Sequence, residues 1–232
     1  GCEKIAHRLL HKKFKIPIGI SIAKTNCEAT VHTQNGVEDY VKAYKAMRDI
    51  GAYDTINISC PNAFGGQPFT DKDKLERLLY AITRVRSNKP IFLKLSPDLT
   101  KEQLDDIIGV AYEYNIDGLI CSNLTKRKDL MDAAGADIQG GLSGKSVSKQ
   151  STEMLKYIYN ATREDFVLIG VGGIFSACDA YEKIKAGASL VQLITGMIYE
   201  GPQLINEINR GLVELLERDG YKNISEAIGT ES

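Results

Sequence analysis

In the stretch Asp54-Thr-Ile-Asn-Ile-Ser-Cys-Pro-Asn62 an apolar run ends in an amide, a thiol and a second amide. Pro61 cannot donate to a sheet ladder, so pairing stops directly after Cys60, and Asn57, Cys60 and Asn62 project from the mouth of a strand. A thiol in such a loop can act as base or nucleophile once thiolate formation is assisted, and the two amides offer hydrogen bonds of both polarities. Cys60 is therefore the candidate for chemistry. Cys2, Cys27, Cys121 and Cys178 read as buried inert thiols, the ordinary state of a free cysteine.

Lys94 lies in Ile91-Phe-Leu-Lys-Leu-Ser-Pro97, a single cation within an apolar strand. An ammonium buried there needs a partner, and a bound anionic group would supply one. Ser122 and Asn123 place a hydroxyl and an amide at the end of a further apolar run. Val171-Gly-Gly-Ile174 and Thr195-Gly196 put small residues with free backbone N–H groups after two successive runs, a phosphate-binding pattern. Gln139-Gly-Gly-Leu-Ser-Gly-Lys145 is a turn with several backbone donors and without P-loop spacing. The long connection 126–139 has room for a mobile lid.

Six short runs position these groups: Ile16–Ala23, Thr55–Ser59, Pro90–Leu95, Gly118–Ser122, Phe166–Val171 and Leu190–Ile194. Each is apolar almost throughout, as a strand covered on both faces would be. Helical spacing fills the gaps, for instance over Val37–Ile50 and Lys72–Arg86. Thr100 opens a capping box for a helix over 101–114, Ser176 caps 177–186 with Gly187 ending it, and Gln203–Arg218 is a last long helix. Alternation of this kind means a parallel α/β sheet, doubly wound or closed as a (β/α)8 TIM barrel, and the late glycine loops favour the barrel. Only about six of eight βα units are found, and a helix-like stretch, Lys4–Lys13, precedes the first. The chain is thus expected to be a single barrel domain, 1–232, incomplete at its N-terminus; a self-sufficient open sheet would expose two long apolar edges.

With 29 Lys and Arg against 30 Asp and Glu, the chain has a net charge of −1 and no overall basic field for a nucleic-acid backbone. Five widely spaced cysteines without a CxxC pair fit a reduced, cytoplasmic setting better than disulfides or zinc. His7, His11 and His32 lack metal-ligand spacing and read as surface residues, so no metal is expected. No apolar run approaches the ~20 residues of a membrane span, and membrane contact would need a segment absent here.

Asn57-Ile-Ser-Cys-Pro-Asn62, Lys94-Leu-Ser-Pro-Asp98, Gly140-Gly-Leu-Ser-Gly144, Gly170-Val-Gly-Gly173 and Ala186-Gly-Ala-Ser-Leu-Val-Gln192 together resemble the dihydroorotate dehydrogenases, five motifs in the family's order over about Ile16 to Ile228. The resemblance implies an FMN-containing (β/α)8 barrel that oxidises dihydroorotate to orotate in pyrimidine biosynthesis. It makes Cys60 the base that takes the C5 proton while hydride passes from C6 to flavin N5. Asn57, Asn62 and Asn123 match substrate-binding positions, Asn57 also touching flavin. Lys94 matches the lysine at the flavin N1/O2 edge, and Ser21, Ser122, Gly144, Gly173, Ile194 and Thr195 match the other flavin contacts, the last three around the phosphate.

Within the family, the body of the chain, especially Gly140–Gly144 and Ala186–Ile228, is most similar to the quinone-reducing class, which makes a quinone the expected acceptor. That class usually has serine where Cys60 stands, whereas the soluble classes have cysteine. Gly65-Gly-Gln-Pro-Phe69 resembles the soluble class that passes electrons to an iron–sulfur partner. Ser21 replaces a usual asparagine and Leu124 a usual threonine. A tRNA-dihydrouridine synthase, another FMN barrel, would call for a basic tRNA-facing surface and an added helical domain. A non-catalytic barrel remnant would have no need of the Asn57, Cys60, Asn62, Lys94 and Asn123 set.

Overall fold

A computed structural model describes residues 1–60, 64–127, 129 and 140–232. The described chain contains six strands, β1 (Gly19–Ala23), β2 (Tyr53–Asn57), β3 (Ile91–Lys94), β4 (Gly118–Cys121), β5 (Val167–Val171) and β6 (Leu190–Gln192). Strand order follows chain order, and β1 with β2, β2 with β3 and β5 with β6 pair in parallel. Helices follow the strands: α2 (Thr33–Met47), α3 (Lys72–Thr83), α4 (Lys101–Glu113), α5 (Ser148–Thr162), α6 (Ala177–Lys185), α7 (Thr195–Glu200) and α8 (Leu204–Asp219), with α1 (Cys2–Leu9) in front. The chain divides into two compact units, 1–94 with 99–118, and 95–98 with 119–232.

All six expected strands exist, and their ends moved for local reasons. β1 starts at Gly19 rather than Ile16 because Pro17 has no ladder donor. β2 ends at Asn57 rather than Ser59: the Asn57 Oδ1 accepts from the Ser59 N–H at 3.2 Å and from the Ser59 hydroxyl at 3.0 Å, a side-chain turn in place of a ladder. The Thr100 capping box is present in both directions, with Gln103 as its partner. Ser176 caps α6 by accepting from the Asp179 N–H, and Gly187 turns the chain at φ +114°. The front helix is shorter than Lys4–Lys13, ending at Leu9.

In the first unit, the core lies between β1–β3 and α2–α4, where Ile56, Leu75, Leu78, Leu79, Ile82, Ile91, Leu93 and Ile107 are fully buried. Ions hold the N-terminal ends of its strands. Lys89 donates to the Asp54 carboxylate at 2.8 Å and to the Ile50 carbonyl at 2.7 Å. Burial raises the Asp54 pKa, against the pull of Lys89. The Asp117 carboxylate accepts from Arg86 at 2.5 Å and from the Ile91 backbone N–H at 2.7 Å, joining the end of α3 to the start of β3.

In the second unit, α5 and α6 cover β5 through Leu155, Ile158, Ala180 and Ile184, and α8 packs on α6. The outer strands depart from the expected two-sided burial: β1 alternates buried Ile20 and Ile22 with exposed Ser21 and Ala23, and β6 carries exposed Leu190. Among the described residues no helix is long and apolar enough to cross a membrane.

Candidate functional site

Parallel register decides which side chains of the first unit share a face, because paired residues of neighbouring strands point the same way. Ala23 pairs with Asn57 and Asn57 with Lys94, so the last positions of β1, β2 and β3 form one row. Ser21, two residues before Ala23, lies on the same face and is exposed. Tyr40 of α2 braces this row: its hydroxyl donates to the Asn57 carbonyl at 2.8 Å, and its ring stands edge-on to Phe69 at 5.4 Å between centroids. Burial pushes the Tyr40 hydroxyl pKa far up, which keeps it a donor.

Lys94 is half-buried, and burial lowers its pKa. No hydrogen bond or ion pair holds its ammonium among the described residues. Three residues beyond Asn57, Cys60 is half-buried with a free thiol. Asn62 lies outside the described residues. The first unit therefore brings Ser21, Asn57 and Lys94 to one face of the strands, with Cys60 just past the end of β2.

The second unit carries the other candidates. Leu95 donates to the Ile120 carbonyl at 3.0 Å and Asn123 donates to the Leu95 carbonyl at 2.9 Å, which fixes the exit of β4. Ser122 is buried and Asn123 half-buried, and the Asn123 Oδ1 accepts from the Leu124 N–H at 2.9 Å. Leu142 exchanges two 2.9 Å backbone bonds with Thr125, after which Gly144 opens a short 3₁₀ turn, Gly144–Val147. Ser143 and Thr195 hydroxyls meet at 3.1 Å.

Three glycines here have no room for a side chain. A Cβ on Gly144 would stand 2.9 Å from Thr195 Cγ2, one on Gly172 3.0 Å from Val147 Cγ2, and one on Gly173 2.4 Å from Ser148 Cβ, all at positive φ. Gly144 is thus drawn against Thr195 and Gly173 against Ser148, which directly follows the 144–147 turn, and the N–H of buried Gly173 meets no acceptor among the described residues. Ile194, by contrast, is largely exposed. The long connection 126–139 proposed as a lid has only Lys126, Arg127 and Asp129 among the described residues, so 128 and 130–139 lie outside them.

Two residues escaped the sequence reading because single lysines usually snorkel to water. Lys183 is 1% exposed on α6 and donates to the Ser148 carbonyl at 2.7 Å, Ser151 Oγ at 3.0 Å and Thr152 Oγ1 at 2.7 Å. Ser151 in turn donates to the Val171 carbonyl at 2.6 Å, directly before Gly172. Lys183 thereby anchors the start of α5 and the glycine turn to one another. Lys24, which follows β1, is the other. Its setting in the sequence, directly after an apolar strand, was the available signal.

Only one of the four cysteines read as buried and inert is buried. Burial pushes the Cys121 thiol up to about 12, whereas Cys2 and Cys27 are half-buried and Cys178 is exposed. The latter sit on α1, at a loop and on the outer face of α6, where no core was available to take them. His7, His11 and His32 are exposed, and no metal-holding group of His, Cys, Asp or Glu occurs among the described residues.

Parallel strands alternating with helices, with polar groups at the strands' C-terminal ends, define a (β/α)8-type barrel represented here by six βα units. The family model described as dihydroorotate dehydrogenase matches residues 1–216, and the chain belongs to that family. Over 232 residues it is 39% identical to the dihydroorotate dehydrogenase (quinone) of Natronomonas pharaonis, covering all of this chain and 65% of that protein. A second relative of the same name, from Trichormus variabilis, is 39% identical over 242 residues, with 64% of it covered. The chain thus spans just under two thirds of the length of these curated relatives. Among solved structures, the ligand-free DHODH of Eimeria tenella is similar at 29% identity and a TM-score of 0.85, over 99% of this chain and 69% of that one. The same enzyme in complex with ferulenol gives a TM-score of 0.86, over 98% of this chain and 66% of that one.

Proposed function

We propose that this chain forms most of an incomplete single-domain barrel that oxidises dihydroorotate to orotate, with FMN as cofactor and a quinone as final acceptor. The observation that carries the proposal is Lys94, a half-buried ammonium without a partner among the described residues, in register with Asn57, which lies three residues before Cys60. A cation so placed suits the edge of a flavin ring that becomes anionic on reduction. The crowded Gly173, with an unclaimed N–H, suits the cofactor's phosphate together with Ile194 and the Thr195 hydroxyl, while Gly144 and Ser122 suit other parts of the flavin.

FMN, when bound, supplies the two-electron acceptor for hydride leaving substrate C6. The chain supplies the rest. Cys60 takes the C5 proton as thiolate; Asn57 and Asn62 present amide donors and acceptors to the pyrimidine ring and its carboxylate, and the family resemblance assigns Asn123 to the same ligand. Lys94 stays cationic beside the cofactor edge. The proton and hydride removed from C5 and C6 account for the new double bond of orotate. The names of the relatives from Natronomonas and Trichormus support a quinone as the acceptor, although cysteine at position 60 is the soluble classes' choice.

Anaerobic addition of dihydroorotate to the longest natural form of the protein, reconstituted with FMN, tests the reading through the flavin absorbance. Rapid bleaching is expected. In Cys60→Ala bleaching should stop while orotate binding is retained. Bound flavin that dihydroorotate leaves unbleached in the native protein would overturn the proposal.

A further inference from the structure

Lys24 is 6% exposed and forms no ion pair among the described residues, yet its ammonium is not idle. It donates to the Phe64 carbonyl and, at 3.4 Å, to Thr30 Oγ1. The other side of the same residue is also held, since the Phe64 N–H donates to Asn26 Oδ1 at 2.8 Å. Two neighbouring side chains of one loop therefore grip both polar groups of a residue four positions beyond Cys60.

Aliphatic burial does not explain this grip. Phe64 is 54% exposed, and its backbone is what the loop holds. Gly65 lies close against the same loop, where a Cβ would come 3.2 Å from Val31 Cγ1. The gripping loop is itself rigid. Asp39 of α2 accepts from the Thr25 N–H at 2.7 Å and from its hydroxyl at 2.8 Å, and Asn35 donates to the Ala29 carbonyl at 2.9 Å. Thr30 Oγ1 reaches the Thr25 and Cys27 carbonyls at 2.7 and 2.9 Å. At the two ends of the Cys60 segment stand Asn57, held by Tyr40, and Phe69, packed on the Tyr40 ring.

A buried ammonium bonded to a carbonyl and a hydroxyl rather than a carboxylate is costly to maintain, and charge-assisted bonds to a carbonyl are the strong kind. We infer that Lys24 is a positioning residue: with Asn26 it latches the Phe64 peptide to the end of β1 and so sets the aim of the Cys60 thiol. The inference rests on the reading of Cys60 as the base. It assigns Lys24 no contact with substrate or cofactor.

The test uses Lys24→Met and Asn26→Ala in the longest natural form with FMN bound; Asn26 is exposed, so its variant keeps the test alive should the first fail to fold. Hydrogen exchange at Phe64 should accelerate at least tenfold in both. Bleaching by saturating dihydroorotate should slow at least tenfold in Lys24→Met and less in Asn26→Ala, with the orotate Kd changed under threefold. Alkylation of Cys60 by iodoacetamide, referenced to exposed Cys178, should change in both variants. Unchanged exchange at Phe64 in folded Lys24→Met overturns the latch. Faster exchange with unchanged bleaching and alkylation overturns its role in aiming Cys60. Absence of bleaching in the native protein instead sinks the functional reading, while exchange and alkylation still report on the latch.

Discussion

Gly173→Ala puts the proposed cofactor cradle under the most direct strain. The residue sits at φ +75°, where a non-glycine costs about 1–2 kcal/mol. The new methyl would stand 2.4 Å from Ser148 Cβ, roughly an ångström inside any normal contact, and Ser148 is the first residue of α5. Relief requires either the turn or the helix start to move, at a further ~1–3 kcal/mol for an overpacked site. The total of roughly 2–5 kcal/mol corresponds to about 4–20 °C in melting temperature for a chain of this size. The Gly173 N–H would move with the turn. Loss of one charge-assisted hydrogen bond, ~1.5–3 kcal/mol, lowers FMN affinity by about 10- to 150-fold. Gly220→Ala is the control, because Gly220 shares the positive φ (+79°) but has open space around its missing Cβ; it should cost only the backbone term and leave FMN binding intact. Quenching of flavin fluorescence on titration gives the affinity, and a thermal melt gives the stability. Gly173→Ala that binds FMN as tightly as the native protein and melts with the Gly220→Ala control would refute the cradle.

Thr100→Ala removes the α4 capping box and should cost about 1 kcal/mol in urea unfolding without changing FMN affinity. Lys183 carries a pH signature: burial holds its folded pKa at about 8, below an unfolded value near ~10.4. Because the folded state binds fewer protons between those values, its burial cost is fully present below pH 8 and relieved as pH rises toward ~10.4, by about 3 kcal/mol at most. Urea midpoints of the native protein relative to Lys183→Met should therefore rise between pH 7 and pH 10, and a flat difference would show that Lys183 is not buried as a cation.

The strands were legible because their apolar runs are short and sharply bounded, and the capping box because Thr100 and Gln103 are both in place. α5 was not among the helices read from the sequence. Its inward first turn consists of Ser151 and Thr152, which are buried against Lys183 rather than in an apolar core, so a polar sequence hides a buried face. Start points failed where one residue decides: Pro17 delays β1, whereas α2 begins at Thr33, four residues ahead of Val37, despite Gly36 in its first turn. Asn57, Cys60 and Lys94 could be singled out because amide, thiol and ammonium are out of place in or beside an apolar strand. Lys24 shares that setting directly after β1, but its partner, the Phe64 carbonyl 40 residues away, is one that no local pattern specifies.

In the first unit the ion pairs of Asp54 with Lys89 and of Asp117 with Arg86 hold the N-terminal ends of the strands, whereas Asn57 and Lys94 occupy the C-terminal ends. The same few strands are therefore anchored at one end and carry the proposed site at the other. Substitutions at the proposed site can accumulate at one end while compensating ones accumulate at the anchored end, with little interference between them. That division of labour along a single strand lets selection adjust what the protein binds and how firmly it folds as two nearly independent traits.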